Sequence, residues 1–196
     1  DRPPFGMLSE AIAAIEQVRE DAQTISVRDV AKERENLDAI RKQIEAARPS
    51  WAHKADLAAA FAEAYGEIGC LDGAIEYYKQ ALRAENGQVS VRAVEQLANL
   101  QVRDAVRRLR APEDESEKGA KKTRLTADAA RDAIDQAIRS VQALIEFGAE
   151  TAERWSLIGS AHKRKAQIFA DGGHPGERQD ALANMAAAYH RAGELA

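Results

Sequence analysis

Apolar residues in this chain recur at three- and four-residue intervals, in stretches separated by short clusters of Gly, Pro, Asp and Asn. That period belongs to helices with one buried face. A first helix is predicted from Met7 to Ala22, with Leu8, Ala11, Ile12, Ile15 and Val18 on its apolar side. A second is predicted from Val27 to Arg48 on the stripe Val30, Leu37, Ile40, Ile44 and Ala47, and Pro49 with Ser50 stops it. Ser50 then caps a helix that carries Trp51 in its first turn and continues past Ala55. Two short antiparallel helices fill Ala55 to Gln88, turning at Gly69. Another begins around Val94 and persists to Leu109. The next runs from near Thr126 to Phe147 and ends at Gly148, burying Ala133, Ile134, Ala137, Ile138, Val141, Leu144 and Ile145. A helix opening at Thr151 and a last one from Arg178 flank a break over residues 170–176. Gln88 to Val91 is too short to read as a strand, so the expectation is an all-α chain of about eight helices.

The residue types between Ala55 and Gln88 show how such helices pack. Small side chains at Ala62, Ala74 and Ala81 let two backbones approach at the short end of the usual range of about 8–10 Å, and Phe61, Tyr65 and Tyr78 fill the space beside them. Gly69 can take the positive φ that ends the first helix, Asp72 is placed to cap the second, and Glu85, Asn86 and Gly87 end it. Farther on, Gly159 sits inside a helix, where glycine costs about 1 kcal/mol relative to alanine. Its presence points to close approach by a neighbouring helix.

With Ala58, Phe61, Ala62, Tyr65, Ala74, Tyr78 and Ala81 in its packing slots, this stretch resembles one tetratricopeptide repeat. Trp155, Ile158, Gly159 and His162 fit the same first-helix pattern, with His162 in the tyrosine slot. Asp132, Ala133 and Ile134 echo Gly73, Ala74 and Ile75. The resemblance implies antiparallel helix pairs stacked as a short TPR-like α-solenoid. Residues 51–88, 89–150 and 151–196 form its repeats, residues 1–50 form an atypical capping pair, and the last helix is a second-helix partner for the one before it.

Charge and chemistry narrow the functions. Residues 110–124 hold hardly an apolar side chain and run from acidic to basic, so they read as a solvated insertion within the second repeat. A net charge of −4 gives no general attraction to nucleic acid or an anionic membrane, and there is no run of about 18 apolar residues. The lone cysteine, Cys70, excludes an intrachain disulfide. His53, His162, His174 and His190 form no constellation with it or with carboxylates, so no catalytic residue, metal or cofactor is expected. Without a signal-peptide pattern the default location is the cytoplasm, and a chain opening at Asp1 reads as excised from a longer protein.

The resemblance implies a protein-interaction scaffold that takes a peptide or partner helix in a concave groove lined by first helices. An alternative is a regulatory or structural arm of a larger bacterial signalling or caspase-like peptidase protein, whose other domains would then be partners. The groove positions carried over fall on Asp56, Ala59, Glu63 and Glu67, then on Arg92, Glu95, Asn99 and Arg103, and finally on Glu153, Ser156, Ser160, Lys163 and Arg164. The groove is expected to be acidic at its N-terminal end and basic toward its C-terminal end. Asn99 and Arg103 lie one turn apart and are expected to hold a partner's carboxylate together with Lys163 or Arg164. The basic cluster Arg103, Arg107, Arg108 and Arg110 is the strongest of its kind in the chain.

Overall fold

The computed structural model describes residues 5–24, 30–84, 90–111, 124–172 and 174–196. Among these there is no strand. Eight α-helices follow in order: α1 (Leu8–Thr24), α2 (Val30–Ala47), α3 (Ala55–Glu67), α4 (Leu71–Arg83), α5 (Val91–Arg110), α6 (Ala127–Phe147), α7 (Ala152–Gly172) and α8 (Pro175–Glu194). Residues 112–123, most of the expected insertion, lie outside the described residues, as do Glu85, Asn86 and Gly87. The chain forms two compact units, Asp1–Ala93 and Val94–Ala196.

In the first unit, α1 packs against α2 and α3, and α3 against α4. The α3–α4 pair is closed by local chemistry. Gly69 takes φ +83°, which lets the Cys70 N–H reach the Tyr65 carbonyl at 2.8 Å and the Gly69 N–H reach Gly66 at 3.2 Å. This is a Schellman end, and it satisfies carbonyls that the helix terminus leaves open. Cys70, not Asp72, takes the N-cap position of α4, and Asp72 falls within the first turn.

Ala62, Ala74 and Ala81 are fully buried along the seam, and Phe61, Tyr65 and Tyr78 are almost so. Tyr77 stacks on Phe61 and Tyr65, with ring centroids 4.9 and 5.4 Å away. The Tyr65 hydroxyl donates to Asp38 of α2 at 2.7 Å, which ties the repeat to the helices before it. Burial raises the Tyr65 pKa, and the hydrogen bond to Asp38 adds to the rise.

Two further expectations in this unit need correction. Ser50 and Trp51 do not open α3. Pro49 starts a separate turn of 3₁₀ helix, Pro49–His53, and Lys54 is extended before α3 begins. The fixed φ of proline suits the first helical position and starts a new turn here. Val30, placed on the buried stripe of α2, is the first residue of that helix and is 43% exposed.

In the second unit, α6 packs on α7 and α7 on α8. One core joins Ala98, Val102 and Ala105 of α5 to Ile134, Ala137, Ile138 and Val141 of α6 and to Ile158, Ala161 and Ile168 of α7. α6 starts beside Thr126 and ends at Gly148, as expected, and Thr126 caps it, its hydroxyl accepting from the Ala129 N–H at 3.2 Å. Ala133, Leu144 and Ile145 are only half-buried. The break over residues 170–176 is shorter than its composition implies. α7 runs to Gly172, and Pro175 begins α8 immediately after His174.

Each unit contains a helix pair closed by a glycine against a tyrosine. A Cβ on Gly73 would lie 2.8 Å from Cδ1 of Tyr65, and one on Gly159 would lie 3.0 Å from Cδ1 and Cε1 of Tyr189. The Tyr65 ring is buried, stacked and hydrogen-bonded, so it cannot give way. Gly73→Ala is therefore expected to destabilise the chain even though alanine is the better helix former by about 1 kcal/mol. The overpacking cost is about 1–3 kcal/mol, and urea denaturation with a lowered midpoint and unchanged slope would show it.

Candidate functional site

The described part of the second unit contains a largely buried ion pair, Glu95 with Arg154, and two arginines farther along the same helices, Arg103 and Arg164, that pair with no described carboxylate. On α5 the groove positions Glu95, Asn99 and Arg103 follow one another at four-residue spacing and share a helix face. Glu95 is committed internally, accepting from Arg154 Nε of α7 at 2.8 Å. The Arg154 side chain is 10% exposed. Its Nη1 also donates to the Leu144 carbonyl at 3.1 Å and to the Ala149 carbonyl. One guanidinium thus joins α5, the end of α6 and the start of α7. Gly148 makes room for it, since a Cβ there would stand 3.3 Å from Arg154 Nη1 and 2.9 Å from the Leu144 carbonyl oxygen.

One turn on from Glu95, Asn99 lines a narrow slot between α5, α6 and α7 whose other walls include Val102, Ile138, Leu157 and Arg164. The slot leaves only about 10 Å³ of free volume, room for roughly one water. Arg164 is half-buried, and its Nη1 donates to the Ser160 hydroxyl at 2.9 Å and to the Ser160 carbonyl at 3.2 Å. Both acceptors are neutral. Burial lowers the Arg164 pKa, and nearby Arg103 lowers it further. Two guanidinium groups are therefore close enough to repel, and among the described residues no carboxylate is paired with either. Lys163 and Glu153 are exposed on the same helix.

The groove residues of the first unit have different surroundings. Glu63 of α3 accepts from Arg19 of α1 at 2.5 Å, and Glu67 is half-buried one turn later. Arg92 is exposed. Tyr78, buried beside them, has its pKa pushed up to about 12, chiefly by burial and then by Glu63, with Arg92 and Arg19 opposing. Of the basic cluster on α5, Arg107 and Arg108 pair with Asp104, the former at 2.5 Å. Among the described residues, no three His, Cys, Asp or Glu side chains are grouped so as to hold a metal ion. No helix there is long and apolar enough to cross a membrane.

Alongside this geometry, a family model for Tetratricopeptide Repeats-Sensor proteins, TPR-S, matches residues 71–196. The chain belongs to the TPR-S family. The match covers α4 to α8 and begins at the first residue of α4. No curated protein matches the chain. Domains of this type serve protein–protein interaction in general, and helical repeats of this kind are typically not enzymes.

Sequence reasoning assigned no role to two residues that matter in this TPR-S unit. Arg154 stands beside Trp155 of the repeat pattern, but its partner Glu95 lies 59 residues away, beyond the reach of any local spacing rule. Tyr189 holds no groove position in the repeat pattern, yet its ring is seated against the backbone of α7 at Gly159.

Arg154→Met is expected to cost about 3–5 kcal/mol, because Glu95 is left buried and unpaired. Arg154→Met with Glu95→Met should recover only part of this, since the two carbonyls also lose their donor, and urea midpoints of the single and double variants test it. His162 provides a pH handle. Burial, and then Lys165, lower its pKa below 6.5, while Asp135 opposes. The folded chain binds fewer protons than the unfolded one in that window, so stability should fall as pH drops below about 6.5. Urea titrations at a series of pH values should show His162→Gln flattening that dependence.

Proposed function

We propose that this TPR-S chain is a protein-interaction module that takes an acidic segment of a partner protein against Asn99, Arg103 and Arg164. One observation carries the reading: among the described residues Arg164, half-buried, is bonded to the neutral acceptors of Ser160 and lies near Arg103, and neither arginine is paired with a carboxylate. Holding like charges together raises the free energy of the empty surface, and an anion arriving there relieves it. Ordinary surface ion pairs contribute about 0–1 kcal/mol. A charge-assisted hydrogen bond to a partly desolvated guanidinium contributes about 1.5–3 kcal/mol. Lys163 is an exposed cation on the same helix that adds long-range attraction.

The family's description as a sensor favours a second reading on the same surface, in which this chain is a regulatory arm of a larger signalling or caspase-like peptidase protein. In that reading the acidic segment is the signal. A catalytic domain in the same reading frame whose rate responds to Arg103→Glu would support it.

The primary test uses a fluorescein-labelled octaglutamate peptide and anisotropy at low ionic strength. Arg103→Glu is expected to weaken binding by at least about tenfold, and added salt should weaken the wild type in the same direction. Equal affinity of wild type and variant at low salt would place the binding surface elsewhere.

A further inference from the structure

Tyr189 of α8 lies against the cationic patch, and its placement exceeds what filling a helix seam requires. Gly159 has no side chain, and the position of its missing Cβ is 3.0–3.1 Å from Cδ1, Cε1 and Cγ of the tyrosine ring. The ring is therefore seated against the backbone of α7 and is fixed in direction. The residue is nevertheless 40% exposed, whereas Tyr65, the tyrosine that meets a glycine in the other unit, is 3% exposed. The Tyr65 hydroxyl is bonded to Asp38, whereas the Tyr189 hydroxyl makes no hydrogen bond to any described residue. The ring seated on Gly159 lies near Arg164, which is itself held by Ser160, the residue next to Gly159.

We infer that Tyr189 is a specificity-determining contact residue of this site, its hydroxyl donating a hydrogen bond to the partner carboxylate that Arg164 and Arg103 attract. The inference rests on the acidic-partner reading above and adds a third helix to it. A carboxylate has two oxygens and several lone pairs, so Arg164 and the phenol can be satisfied together. The two arginines supply attraction that any anion feels. A phenol adds a single directional donor from a ring that cannot swing away, which favours an anion in one position. Because the ring is already ordered, little rotamer freedom is lost on binding.

Tyr189→Phe tests this cleanly, since it keeps the ring in its glycine notch and removes only the hydroxyl. Binding of the same labelled octaglutamate peptide is expected to weaken by about tenfold. The melting temperature should stay at the wild-type value, and so should the salt dependence, because no charge changes. A tyrosine with a purely structural role would leave the affinity unmoved. Unchanged affinity in Tyr189→Phe, beside weakened binding in Arg103→Glu, overturns the role of Tyr189 while leaving the acidic-partner reading standing. Unchanged affinity in both variants overturns the patch as the binding surface and Tyr189 with it.

Discussion

A helix pair closes only as far as its bulkiest crossing point allows, and in both units that point holds a glycine facing a tyrosine. Gly73 of α4 receives Tyr65 of α3, and Gly159 of α7 receives Tyr189 of α8. The helices exchange roles, with the large residue on the first helix of one pair and on the second helix of the other. Close approach is what matters, since dispersion contacts fall away steeply across even a small gap. The alanines at 62, 74 and 81 extend the same close seam along α3 and α4. Once the backbones are this near, the neighbouring groups have fixed places: Tyr77 stacks on Tyr65 in the first unit, and in the second the Tyr189 phenol is carried toward Arg164.

How much of this was legible in the sequence depends on the range over which each feature is encoded. Caps and turns are set by a few adjacent residues, so Gly69, Thr126 and Gly148 could be placed from composition alone. Gly159 was legible for a different reason: a poor helix former in a strong helical pattern needs a packing explanation. Where two local signals competed, the reading went astray. Ser50 was weighed as a cap, but Pro49 and extended Lys54 separate that turn from α3. The glycine-rich stretch after Ala170 suggests a long loop, whereas α7 runs on to Gly172.

The surface is less legible than the core. Helical spacing places Asn99 and Arg103 on one face of α5, but only the packing of α5 and α7 on α6 brings Arg103 near Arg164. The same packing withdraws Glu95 into the pair with Arg154. Local charge counting would have left an acid on this face. Pairing with Arg154 neutralises that carboxylate, which leaves Arg103 as the uncompensated charge of the three positions on this face of α5 among the described residues.

The ends of the charged stretch between α5 and α6 are held together by the folded part of the chain. The Leu125 N–H donates to the Arg108 carbonyl at 3.3 Å, and Arg124 Nε donates to the Leu109 carbonyl at 3.3 Å. A closed base of this kind separates the length of what is strung across it from the register of the helices on either side. The pairing of α5 and α6 is thus anchored at the base of the stretch, whatever its length.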